Sequence, residues 1–137
     1  MPLLMTPVPP PRVDRYARTN QTFKVRIQVT IPSTGGTLDL TNHKFKMRVR
    51  PKPGSATTVV FASNDPADAG DVSEGSTVTI DADPTTGFVT IMLPTTFLET
   101  LPTGPAPLGW YDVVMYHPDD TQKVLFEGQF YVARGIT

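Results

Sequence analysis

The sequence predicts an all-β fold, an antiparallel β-sandwich of about seven strands with one short helix and an extended N-terminal arm. Three observations predict it. From Thr22 to Ile31, the apolar residues Phe23, Val25, Ile27, Val29 and Ile31 alternate strictly with Lys24, Arg26, Gln28 and Thr30, the period of a half-buried strand. From Gly109 to Val132, two runs rich in β-branched and aromatic residues flank His117-Pro118-Asp119-Asp120-Thr121, the sequence form of a β-hairpin. The 15 prolines fall in the N-terminal arm and between the apolar runs rather than inside them, as a fold built from ladders requires, because proline cannot donate to one.

The hairpin is the expected nucleus of the sheet. In its second strand Val124, Phe126, Gly128, Phe130 and Val132 fall on one face, and Leu125, Glu127, Gln129 and Tyr131 on the other. Gly128 inside the apolar set marks a bulge or the close approach of a large neighbour, for which Trp110 is the natural candidate.

The elements before it follow in order. Residues 1–20 hold prolines at 2, 7, 9, 10 and 11, then Arg12, Arg15 and Arg18 with Val13 and Tyr16 between them. Nothing periodic is available for burial there, so the segment reads as a polyproline-like arm rather than part of the domain at 21–137. After the first strand, Gly35-Gly36 turns the chain, and Leu38 and Leu40 form a short apolar pair. Lys44 to Arg50 is a second long strand, in which Phe45, Met47 and Val49 alternate with Lys44, Lys46, Arg48 and Arg50. Val59-Val60-Phe61 forms a short strand, and residues 62–76 read as a mobile surface loop. Ser76 to Ile80 and Gly87 to Leu93 are strands around the turn at 81–87. Thr96 and Glu99 have capping-box spacing, with Phe97, Leu98 and Leu101 on one side of a helical turn that Pro102 stops. This succession is that of an immunoglobulin-like sandwich, without the Cys…Trp…Cys signature of antibody domains.

Composition narrows the function classes. The length suits one domain with a genuine core. A net charge of −1 and a pI of about 6.0 give no global attraction to nucleic acid or to acidic membranes, so neither is an expected partner. There is no cysteine, hence no disulfide framework and no thiolate zinc site. The apolar start Met1 to Met5 is cut short by proline before it reaches signal-peptide or membrane-helix length, so a soluble protein made without export is expected.

The candidates for chemistry are weaker than their bland alternatives. His43 and His117 sit beside separate turns and read as surface histidines. Asp65, Asp68 and Asp71 have calcium-like spacing but lack the ligand alternation and closing Glu of a calcium loop. Asp81 and Asp83 are placed as turn formers. No phosphate loop, nucleophile elbow or cysteine nucleophile is present. The expectation is a protein that is not an enzyme and has no cofactor or metal. Trp110, Tyr111, Tyr116 and Tyr131 could supply a platform for sugars, but the core is their expected place in a sandwich.

The order of short motifs adds a resemblance. Thr22-Phe23-Lys24-Val25-Arg26, Leu38-Asp39-Leu40-Thr41, the strand ending Arg50-Pro51, Thr86-Gly87-Phe88-Val89-Thr90-Ile91, Gly109-Trp110-Tyr111-Asp112-Val113 and Glu127-Gly128-Gln129-Phe130 resemble the Ig-like domain at the N-terminus of tailed-phage baseplate upper proteins and related small prophage structural proteins. The resemblance spans about residues 20 to 133. It implies a building block of the virion and brings no catalytic residues. The chain ends at Thr137 without the receptor-binding or helical extension of the larger members, so the expected place widens to head decoration, connector, tail or baseplate.

Charge distribution points to the surfaces such a block would use. Residues 1–52 hold ten of the 12 basic residues against two acids, and the remainder holds two against eleven. A basic arm and strand face meeting an acidic neighbour would set register and partner choice. The candidate interaction residues are therefore Pro9, Pro10, Pro11, Arg12, Arg15, Tyr16 and Arg18 of the arm and Lys44, Lys46, Arg48 and Arg50 of the strand. Their expected partners are other virion proteins and copies of the chain itself, as a homo-oligomer in the particle. A carbohydrate-binding or adhesion module is the alternative.

Overall fold

The computed structural model describes residues 10–135. Eight strands form two sheets: β1 (Arg15–Arg18), β2 (Phe23–Gln28), β3 (Lys44–Arg50), β4 (Val60–Ser63), β5 (Thr77–Ile80), β6 (Phe88–Leu93), β7 (Gly109–Tyr116) and β8 (Gln122–Ala133). The five-stranded sheet runs β1-β8-β7-β3-β4 and the three-stranded sheet β2-β6-β5. This is an immunoglobulin-like β-sandwich. Its larger sheet has the variable-type order, in which the sheet of the last two strands gains a strand beyond the third.

Alternation along each strand supplies the core. Phe45, Met47 and Val49 of β3 face Val89, Ile91 and Leu93 of β6 across the interior, with Tyr111, Val113, Met115, Phe130 and Val132 from the hairpin, and all are buried. Leu40, expected in an apolar pair, is fully buried although no strand forms there. The first strand is shorter than its periodicity: β2 pairs with β6 only from Phe23 to Gln28, and Thr30 makes a single bridge to Thr37. Gly87 sits at φ +74°, and a Cβ there would press on the Val29 carbonyl oxygen at 2.7 Å. Glycine is therefore required where the 84–86 turn enters β6.

Four local expectations are corrected. The short helix exists as α1 (Thr95–Leu98), but its N-cap is Pro94 with no side-chain cap, so Thr96 and Glu99 form no capping box. It is held by burial of Leu98. The hairpin contains a bulge at Leu125, where Val113 pairs with Phe126 and Val114 with Val124. That extra residue turns Val124 outward to 37% exposure. Trp110 is only partly buried and pairs with Arg50 and Gln129 on the outer face. Tyr111, one residue on and 3% exposed, is the core aromatic, because a strand presents neighbours to opposite faces. The close approach at Gly128 is made by the Val13 backbone, whose carbonyl a Cβ would overlap, not by Trp110.

The N-terminal segment is the largest departure. Its described part is not a separate arm: Arg15 to Arg18 pair in parallel with Phe130 to Ala133, and Arg12 bridges Glu127. Between these the ladder is interrupted, and the Asp14 carboxylate accepts the Gln129 N–H at 3.0 Å in place of a backbone carbonyl. Ala17, 3% exposed, enters the core. A segment without periodicity can dock this way because a single small residue suffices when backbone bonds do the holding.

Candidate functional site

The expected interaction residues divide between two places on the five-stranded sheet, and Pro9 lies outside the described residues. The basic set of β3 does share the outer face, opposite Phe45, Met47 and Val49. It is not left for a partner. Lys46 Nζ lies 3.0 Å from Asp68 and 3.6 Å from Asp65, and Lys44 is 3.6 Å from Asp65. Arg50 reaches Asp112 at 3.9 Å, and Arg48 lies 4.6 Å from the Phe61 ring centroid. Asp65 and Asp68 of the 62–76 loop thus neutralise the lysines of this face within the same chain. A short 3-10 turn at 66–68, capped by the Asp65 carboxylate on the Ala67 N–H, holds them in place.

At the other margin, β1 lays Tyr16 and Arg18 on the same outer face, while Ala17 points into the core. Tyr16 stacks on Tyr131 with centroids 4.8 Å apart and planes 12° apart, while remaining 69% exposed. Arg12 lies over the Trp110 ring at 5.1 Å and is 3.5 Å from Asp14. Arg15 instead turns over Phe126 at 5.2 Å, with a buried Nε that has no hydrogen-bond partner. Arg18, Pro11 and Arg12 are exposed and Pro10 partly so. Between the margins, Arg12, Arg50, Trp110, Asp112 and Glu127 line an open cleft of about 410 Å³. Burial pushes the Asp112 carboxyl up, against the pull of Arg50 and then Arg48. Asp112 and Glu127 face each other across the ladder, which leaves the cleft floor acidic between arginines.

The β2–β3 connection and the β7–β8 turn meet at the opposite end, since Lys44, Tyr116 and Gln122 are register neighbours. There His43 Nε2 and His117 Nδ1 are 3.1 Å apart. His43 is the buried polar residue of the described chain, at 9% exposure. Residues 74 apart in sequence are joined, which neither turn signals by itself. The two turns share a local device: Asp39 Oδ1 accepts from the Thr41 N–H and hydroxyl, as Asp119 does from Thr121. These bonds, chiefly the one from the Thr hydroxyl, hold both carboxyls below the ordinary range. Among the described residues no cluster of three or more His, Cys, Asp or Glu side chains could hold a metal ion, and no helix is long and apolar enough to cross a membrane.

No family model matches the chain, and no curated protein matches it. Among solved structures it is similar to Tim-2, with a TM-score of 0.47 and 8% identity over 92% of this chain and 96% of that one. It is likewise similar to a chain in the complex of ICOS with ICOS-L and an anti ICOS-L VNAR domain, with a TM-score of 0.47 and 12% identity. That match covers 88% of this chain and 55% of the other.

Proposed function

We propose that the chain is a non-catalytic assembly module that docks through the outer face of its five-stranded sheet on a neighbouring protein, in the first instance a second copy of itself. The observation that carries this reading is the stacked Tyr16–Tyr131 pair at the sheet margin, with Tyr16 69% exposed, on the same outer face as Trp110 under Arg12. Tyrosine, tryptophan and arginine are the residues that dominate docking surfaces, because each buries a large area with few rotatable bonds or a rigid charged plane. Lys44, Lys46 and Arg50 of β3 are paired within the chain, so covering this face strands fewer unpaired charges. The setting is a tailed-phage particle, as head decoration, connector or tail component, on the strength of the motif order in the sequence. Cross-linking of intact particles followed by peptide mapping tests it. Links from the segments 12–16 and 110–131 to a neighbouring subunit support the reading, and links only from the three-stranded sheet oppose it.

A carbohydrate-binding role is the second reading, favoured by the outward Trp110 in a cleft with Asp112 and Glu127. Arg12 already lies over that ring, so a sugar would have to displace it. Glycan-array binding that is lost in Trp110→Ala would favour this role over docking.

A further inference from the structure

We propose that His43 and His117 form a binding site for a divalent transition metal of the zinc class at the hairpin end of the sandwich. The 3.1 Å between His43 Nε2 and His117 Nδ1 is close to the separation of two imidazole ligands on one tetrahedral ion, about 3.3 Å for metal–nitrogen bonds of 2.0–2.1 Å.

The protonation of the pair follows from its surroundings. His43 Nδ1 lies 3.1 Å from the Thr41 carbonyl oxygen, which can only accept, so Nδ1 carries the hydrogen and Nε2 presents a bare lone pair. A ring nitrogen held by a backbone carbonyl while the other faces the metal is the usual support of a histidine ligand. His117 Nδ1 then donates to His43 Nε2 in the metal-free chain. On binding, His117 moves its proton from Nδ1 to Nε2 through solvent, and the metal takes the place of the shared hydrogen with both rings neutral.

The surroundings suit an ion with open positions. The two rings line a pocket of about 470 Å³ with Asn42, Asn64 and Asp120, room for water to complete the coordination shell. Lys44 also lines it, but its ammonium is drawn 3.6 Å from Asp65. Both turns are held tightly. Asn42 and Asp120, at φ 61° and 68°, are the non-glycine residues with positive φ among those described, and each lies within three positions of its histidine. Imidazole selects zinc, nickel or copper over calcium and magnesium, which prefer oxygen.

The test is titration of the full chain with zinc chloride at neutral pH, followed by calorimetry and by histidine ring nitrogen NMR. One ion per chain should shift both rings together, and calcium or magnesium should shift neither. Acidification should release the ion, since only neutral imidazole ligates. His117→Gln lies on a partly exposed turn, and its fold is checked by circular dichroism. It should lose affinity about tenfold or more, with His43→Gln as the second variant. Zinc that leaves both rings unmoved at millimolar concentration, or that binds His117→Gln as tightly as the parent, would show a hydrogen-bonded pair only and overturn the site.

Discussion

The Tyr111 hydroxyl donates to the Val13 carbonyl across 98 residues of chain, and so ties the N-terminal segment to the centre of the hairpin. Beneath it, Gly128 leaves the space that the Val13 backbone fills. Tyr111→Phe should cost about 1 kcal/mol, the net worth of one hydrogen bond. Gly128→Ala should cost about 1–3 kcal/mol by overpacking. In both, amide exchange at Arg15–Arg18 should quicken before that of β3. Unchanged protection in Gly128→Ala would mean that β1 does not depend on this approach. Deleting residues 1–18 should lower the melting temperature, because Ala17 and the parallel ladder go with them.

Neighbouring aromatics should differ sharply. Trp110→Ala removes an outer-face ring and should change stability by less than about 1 kcal/mol. Tyr111→Ala empties a core position and should cost about 3–5 kcal/mol. Urea unfolding of the two variants measures the contrast, and equal losses would contradict the observed parity of β7.

Lys46 bridges two carboxylates at 14% side-chain exposure. Lys46→Met should destabilise by about 1.5–3 kcal/mol, in the range for hydrogen bonds to charged groups, with the loss largely retained at high salt because the pair is shielded from solvent. Arg48→Met, which removes a guanidinium stacked on Phe61, should cost about 1 kcal/mol or less. A loss at Lys46 no larger than at Arg48 would show that the ion pairs contribute little.

The carboxylates give opposite pH responses. Asp39 and Asp119 have pKa values lowered from 3.8, so their contribution is present above that value and fades as pH falls through the folded one. Asp119→Asn should therefore be less stable than the parent near neutrality, with the gap closing on acidification. Asp112 is raised from 3.8 by burial. Its ionised form is disfavoured in the fold, so its effect on stability worsens as pH rises through the window from 3.8 to the folded value. Asp112→Asn should equal or exceed the parent at neutral pH and lose that advantage in acid. Denaturation across pH 2–7 separates the two cases, and a neutral-pH loss in Asp112→Asn would show that attraction to Arg50 outweighs desolvation.

What was legible in the chain depended on period and on distance. The β3 alternation and the His117–Thr121 turn are local patterns, and both stand in the structure as read. Aromatic size places Trp110 in the core, while parity along β7, fixed by Tyr111 and Val113, turns it to the outer face. The bulge at Leu125 leaves no mark in an apolar run. The docking of residues 12–18 has no periodic signal, since Asp14 and backbone groups carry it. Asp65 and Asp68 neutralise the lysines of β3 from within the chain because of a turn at 66–68 that loop composition does not reveal. The meeting of His43 with His117 required the relative placement of two loop ends, which only the completed sheet defines.

The most direct test of docking through the five-stranded face is sedimentation velocity of the purified chain over a concentration series. Three proteins are compared: the parent, a Tyr131→Ser and Trp110→Ser double variant on that face, and a Thr79→Ser and Thr90→Ser control on the other sheet. The expected result is reversible association of the parent and of the control, with the face variant remaining monomeric while keeping its fold. Association that survives in the face variant, or a parent that stays monomeric throughout, would contradict self-docking through this face.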